Sequence, residues 1–155
     1  IAQRPLEESW RWSIAGYGPL EPAVQAMAEG SGGRIRLLGA VEYTDVPKTL
    51  AQADVYWQPS QRDPWALAVN EAMAAGLPVL VSNRCGCQED LVNVQTGWTF
   101  DPYDEQDMVS ALMAAAEARH RWPAMGTASN AHIANWGLER FSSGLTEAVR
   151  LSVSE

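Results

Sequence analysis

Two carboxylates, Asp63 and Glu71, stand with seven residues between them in the stretch Asp54 to Ser82, DVYWQPSQRDPWALAVNEAMAAGLPVLVS. Asp63 closes a polar loop, Ser60 to Asp63, and Pro64 then occupies a place that a helix tolerates in its first turn. A helix beginning near Trp65 or Ala66 points its unpaired N–H groups and positive dipole end back at the loop, where an anion is stabilised. Glu71 falls about two turns into that helix, on the face of Leu67, and can accept two O–H hydrogen bonds from a cis-diol. Carboxylates near a helix start also commonly do no more than stabilise it, and that reading stays open for Glu71. The residues indicate an anion-and-hydroxyl site and go no further.

The flanking segments must hold this loop. Asp54 to Gln58 is apolar, aromatic and rich in strand formers, and Pro59 closes it, so it reads as a short buried strand. Trp65 to Ala75 is an alanine-rich helix, Gly76 a good residue just past its end, and Pro78 a bar to its continuation. Pro78 to Ser82 is a second apolar run, as expected of a strand buried on both faces. The small residues Ala72, Ala74, Ala75 and Gly76 let the helix pack closely on a sheet. The unit is strand–loop–helix–strand, and its loop opens at the carboxyl end of a parallel strand, the edge at which open α/β sheets bind ligands.

The same alternation runs through the chain. Ile1 to Ser9 reads as the tail of a helix or an arm. Trp10 to Ala15 is a strand running into Gly16-Tyr17-Gly18-Pro19, a tight turn or a close backbone approach, without the third glycine of a dinucleotide fingerprint. Glu21 to Glu29 is a helix, Arg34 to Leu38 a strand, Gly39 to Tyr43 a loop and Val46 to Ala53 a short helix. Beyond Ser82 come the loop Asn83 to Cys87, helical turns over Gln88 to Val92, and a strand over Gly97 to Phe100. The amphipathic helix Glu105 to Arg119 carries Met108, Leu112 and Met113 on one side. Ala131 to Trp136 and Leu138 to Val149 complete a helical tail within residues 121–155. His120 and His132 read as ordinary surface residues. Five short apolar strands alternating with helices imply an α/β, Rossmann-like, doubly wound parallel sheet.

Composition narrows the function. The 155 residues match one ordinary domain, 1–155, able to bury a substantial core. Eleven basic against nineteen acidic residues give a net charge of −8, which speaks against a nucleic-acid partner. No apolar run approaches the roughly 20 residues that span a bilayer, and no signal peptide is visible. Cys85 and Cys87 are one residue apart, too close for an unstrained disulfide and too few for a metal site. They read as reduced thiols of a cytoplasmic protein. The seven tryptophans are scattered, form no stacking stripe, and are assigned to packing.

These motifs together resemble the carboxyl-terminal half of group 1 (family 4) glycosyltransferases of the GT-B fold. The resemblance rests on Pro59-Ser60, Asp63-Pro64-Trp65-Ala66-Leu67 and Asn70-Glu71-Ala72-Met73-Ala74-Ala75-Gly76-Leu77-Pro78-Val79, similar to that family's Glu-x7-Glu followed by Ala-Met-Ala-x-Gly-x-Pro-Val. Gly16-x-Gly18-Pro19, Leu38-Gly39, Gly86 before Glu89-Asp90-Leu91-Val92, and Thr96-Gly97 follow in the family's order. It covers about residues 10 to 117, more loosely the tail.

The resemblance implies a domain that binds a nucleotide-diphosphate sugar and belongs to a retaining transferase acting on a glycan, lipid or small acceptor in polysaccharide synthesis. It implies ribose hydroxyls held by Glu71 and the transferred sugar met by Asp63, the two catalytic-site carboxylates. It also implies backbone contacts from Trp65, Ala66 and Leu67 to the sugar and diphosphate, close approach at Gly16 and Gly18, and base packing near Ala40 and Val41. No metal or other cofactor is implied. Asp63 stands for the commoner glutamate, and Ala66 for a usual glycine.

The family's first donor-half strand, its Gly-Arg and Lys-Gly cations, and the amino-terminal acceptor domain have no match here. The expectation is therefore a fragment of a larger enzyme, inactive alone, whose acceptor domain is supplied in cis or in trans. Membrane contact, peripheral in the full-length protein, would come only through that missing domain. The missing strand is expected to lie between Trp10–Ala15 and Asp54–Gln58. The alternatives are a non-catalytic nucleotide-binding or regulatory module that pairs with a separate acceptor domain, and a generic flavodoxin-like domain.

Overall fold

A computed structural model describes residues 10–153. The expectation for Ile1 to Ser9 lies outside the described residues. Among the described residues five strands and seven α-helices alternate along the chain, all strand pairs are parallel, and the class is α/β as expected. The described residues fall into two compact units, one ending at Thr49 and one beginning at Leu50.

In the first unit, β1 (Trp12–Ala15) pairs with β2 (Ile35–Gly39). The register slips between Ile14 and Ala15, so that Ala15 faces Gly39 and the Gly16 N–H donates to the Gly39 carbonyl at 2.8 Å. Helix α1 (Glu21–Gly30), with Pro22 in its first turn, packs on β2. A 3-10 turn over Tyr43–Asp45 leads into α2 (Val46–Leu50), shorter than the helix expected to reach Ala53.

The second unit holds a sheet of order β3 (Tyr56–Gln58), β4 (Val79–Ser82), β5 (Gly97–Phe100). All four residues of β4 are buried, which explains its uninterrupted apolar run.

Helix α3 (Leu67–Ala74) packs on β3 and β4. It ends in a Schellman motif: Gly76 adopts φ 79, its N–H donates to the Met73 carbonyl, and the Leu77 N–H donates to that of Ala72. Its start differs from expectation by two residues, because Trp65 and Ala66 are held in the loop. Helix α4 (Gln88–Leu91) is a single turn. Helix α5 (Glu105–Glu117), capped by the Asp104 carboxylate, lies on β4 and β5 through Ala111 and Ala115, deeper than the flanking Met108, Leu112 and Met113.

The tail is two helices with other boundaries than expected: α6 (Trp122–Ile133), started by Pro123, and α7 (Leu138–Val153). Helix α6 packs on α3 because both are small at the crossing. A Cβ on Gly126 would sit 2.0 Å from the Gly76 carbonyl oxygen, and the Asn130 side chain donates to the Ala74 carbonyl at 2.7 Å. His132, expected at the surface without a role, contacts the Asp90 carbonyl at 3.0 Å. Among the described residues no helix is long and apolar enough to cross a membrane.

Replacing a helical glycine by alanine gains up to about 1 kcal/mol of helix propensity, whereas forcing a methyl against packed backbone costs about 1–3 kcal/mol. Gly126→Ala should therefore lower stability in urea unfolding. Gly144→Ala in α7, where a Cβ meets nothing within 4 Å, should raise it by about 0.5–1 kcal/mol.

Candidate functional site

The loop at the carboxyl end of β3 is built by the Asp63 side chain. Its Oδ1 accepts the Trp65 N–H at 3.1 Å and the Ala66 N–H at 2.6 Å, and Oδ2 has no partner among the described residues. The turn brings Ala66 to φ 72, ψ 68, the left-handed region that costs a Cβ-bearing residue roughly 1–2 kcal/mol. Ala66 is 4% exposed and its carbonyl accepts the Val69 N–H, so the strained residue is also the N-cap of α3.

The backbone of the loop is zipped to the one after β4. The Asp63 N–H donates to the Arg84 carbonyl, the Gly86 N–H to the Asp63 carbonyl and the Cys87 N–H to the Trp65 carbonyl. A Cβ on Gly86 would come within 2.0 Å of the Pro64 carbonyl oxygen, so only glycine permits this approach. The Asp63 and Gly86 loops thus lie side by side at one sheet edge, as the strand–loop–helix reading requires.

Of the three residues expected to present backbone amides, Trp65 and Ala66 donate theirs to Asp63, and Leu67 keeps its own as the first of the helix. Leu67 is exposed, and Glu71, one turn on, is half-buried with no hydrogen-bond or ion-pair partner among the described residues. The helix start therefore carries an unengaged carboxylate, one free carboxylate oxygen and the amides of its first turn.

Behind them runs a polar chain that composition did not reveal. Tyr56 OH donates to Gln58 Oε1, and Gln58 Nε2 donates to Ser60 Oγ at 2.7 Å. Gln58, polar within an otherwise apolar strand, was the available signal. Burial pushes the Tyr56 phenol up to about 12, and the negative charge of Glu71 and then the Cys85, Asp63 and Cys87 groups push the same way. Burial likewise pushes Cys87 up to about 12 and raises Cys85. Both thiols are free and buried.

Two pairs of tryptophans are in ring contact. Trp65 Nε1 donates to Asn70 Oδ1 at 3.0 Å, and the Trp65 ring lies 5.6 Å from that of Trp136. Trp10 stacks on Trp12 at 5.7 Å.

In the first unit, the parallel pairing of β1 and β2 sets Gly16 and Ala40 at adjacent strand exits, with Gly18 and Val41 following. An open groove beside them is lined by Gly18, Pro19, Glu21, Pro22 and Gln25. No group of three or more His, Cys, Asp or Glu side chains suited to a metal ion occurs among the described residues.

Residues 1–132 match the family model described as glycosyl transferases group 1. The chain is 30% identical over 145 residues to a GDP-mannose-dependent monoacylated alpha-(1-6)-phosphatidylinositol monomannoside mannosyltransferase of Corynebacterium glutamicum, covering 88% of this chain and 38% of that protein. It is 35% identical over 92 residues to a glycogen synthase of Mycobacterium tuberculosis, covering 56% and 22%. It therefore spans well under half the length of these relatives. In fold it is similar to TarM, with TM-score 0.73, 18% identity, and coverage of 91% of this chain and 28% of that one. It is also similar to HepE of Anabaena, solved in complex with UDP, with TM-score 0.72, 17% identity, and coverage of 96% and 45%.

If Asp63 Oδ1 holds the loop, Asp63→Ala leaves two N–H groups unpaired and should lower stability by roughly 1–3 kcal/mol in denaturant unfolding, while Asp63→Asn, which keeps an acceptor, should lose less. Tyr56 is protonated in the folded chain up to about pH 12 but only to about 10 when unfolded. Its contribution is full below pH 10 and is lost as pH rises toward 12. An alkaline absorbance titration should show a late tyrosinate component that Tyr56→Phe removes.

Proposed function

Because the chain belongs to the group 1 glycosyl transferases, we propose that it binds the nucleotide-diphosphate sugar donor of a transferase that retains configuration at the transferred sugar. The observation that carries this reading is Glu71: a half-buried carboxylate, unengaged among the described residues, one turn inside a helix that starts at the carboxyl end of a parallel strand. Burying such a group without a partner costs free energy, and a cis-diol supplies two O–H donors that satisfy it. Glu71 holds the ribose in this reading. Asp63, with Oδ1 occupied by its own loop, meets a hydroxyl of the transferred sugar through Oδ2. The first-turn amides of α3, beginning at Leu67, face the diphosphate, and the Trp65 and Ala66 backbone shapes the loop.

Gly16, Gly18, Ala40 and Val41, at the carboxyl ends of β1 and β2, are proposed to meet the nucleotide. The solved relative bound to UDP supports a nucleoside diphosphate as the ligand class. Asp63 and Glu71 bring no positive charge, so we propose that the leaving-group cations come from a first donor-half strand that has no match here, and the acceptor site from an acceptor domain. The 155 residues then bind the donor weakly and do not turn over alone. A cytoplasmic place, a glycan, lipid or small acceptor, and independence from metal ions belong to the same proposal.

Calorimetric titration with UDP, GDP and ADP tests the reading directly, since a generic flavodoxin-like domain would take none of them in this loop. In a protein that joins the chain to an acceptor domain, Glu71→Gln should weaken nucleotide binding by about 1.5–3 kcal/mol, the range for hydrogen bonds to a charged group, with unfolding nearly unchanged. Equal affinities for the two proteins would remove Glu71 from the ribose.

A further inference from the structure

We propose that Trp136, held by Arg140, is a positioning residue for the Asp63–Leu67 loop. The turn between α6 and α7 thereby sets the shape in which that loop meets a donor sugar. What the loop binds is taken from the donor reading above. The coupling itself stands without it.

The restraints on the loop backbone act on its amides and carbonyls, among them Asp63 Oδ1 on the Trp65 and Ala66 N–H groups, the Gly86 N–H on the Asp63 carbonyl and the Cys87 N–H on the Trp65 carbonyl. The Trp65 indole, the largest side chain of the loop, is held separately. Asn70 fixes its Nε1 edge, and Trp136 covers it with ring centroids 5.6 Å apart and planes inclined by 42°. Trp136 belongs to neither helix. It sits in the turn after α6, where its N–H donates to the Ile133 carbonyl at 2.9 Å. On Trp136 lies the Arg140 guanidinium, 4.2 Å from the ring centroid. Arg140 is in the first turn of α7, a helix with no buried residue.

A continuous stack therefore runs from α7 through Arg140, Trp136 and Trp65 to the backbone of the left-handed Ala66. Strain at Ala66 favours release of that conformation, so a modest loss of support at Trp65 shifts the loop population measurably. Neither ring contact forms part of the loop's hydrogen-bonded zipper, which makes Trp136 separable from the fold of the sheet.

Amide hydrogen exchange on the intact chain reads the coupling without any ligand. Trp136→Ala should speed exchange at the Trp65 and Ala66 amides about tenfold while leaving the β4 amides at Leu80 and Val81 protected, and Trp136→Phe should restore most of the protection. Arg140→Ala, at an exposed residue, should speed the same two amides about threefold. Unchanged exchange at Ala66 in a folded Trp136→Ala protein overturns the proposal. If that variant loses β4 protection as well, unchanged loop exchange in Arg140→Ala does so instead.

Titrations of the same proteins with UDP-glucose and UDP separate coupling from ligand assignment. Trp136→Ala should weaken UDP-glucose about tenfold and UDP less than about twofold, because the sugar meets Asp63 within the loop whereas the diphosphate meets only its last amide, at Leu67. Equal weakening of both overturns the positioning role. A parent chain that binds neither overturns the donor reading alone, and the exchange rates still judge the coupling.

Discussion

The hydrogen bonds from the Trp65 and Ala66 amides to one oxygen of Asp63 are the constraint on which the site depends. They tie the chain into a turn that ends in a left-handed alanine, and the helix can begin only after it. A carboxylate acceptor for two N–H groups is stronger than a neutral one, and the local strain requires that strength. Once the turn is closed, the loop presents its carbonyls to the segment after β4, and the parallel ladder continues past the strands as a bridge between Asp63 and Cys85.

Close packing preserves that geometry from behind. The loop after β4 reaches the Pro64–Trp65 backbone only because Gly86 has no side chain, and α6 reaches the Gly76 backbone beyond α3 only because Gly126 has none. Polar groups then satisfy what the packing buries. Asn130 caps the Ala74 carbonyl, and the buried Thr96 hydroxyl donates to the Leu91 carbonyl at 2.9 Å while accepting the Asn93 N–H. These bonds fix where α3 ends and where β5 begins, so the helix carrying Glu71 is held at both termini.

The electrostatics follow from the same burial. Burial raises Tyr56 and the two thiols; the charges of Glu71 and Asp63 push Tyr56 the same way, and that of Asp63 pushes both thiols. Tyr56, Cys85 and Cys87 therefore stay neutral, and the phenol and the Ser60 hydroxyl act as hydrogen-bonding groups. Among the described residues, Asp63 Oδ2 and the Glu71 carboxylate have no hydrogen-bond partner.

Much of this was legible in the residues. The apolar runs around Val55 and Leu80 mark strands, Pro64 and Gly76 bracket the helix, and Asp63 and Glu71 stand out by type and spacing, because strand burial, helix ends and turn geometry are local properties. Local rules also misplaced what contacts between distant segments decide. Asp63 was read for its charge toward a ligand, yet half of its carboxylate turns inward, since Ala66 needs a cap that no helix propensity reveals. Trp65 and Ala66 look helical by composition and lie outside the helix for the same reason. The start of α6 at Trp122 follows from its fit against α3, and the pairing of Trp65 with Trp136 from two chain segments meeting at the core's edge. Only the folded chain brings those segments together, so only the tertiary structure could decide which of these groups support the loop and which remain free to bind.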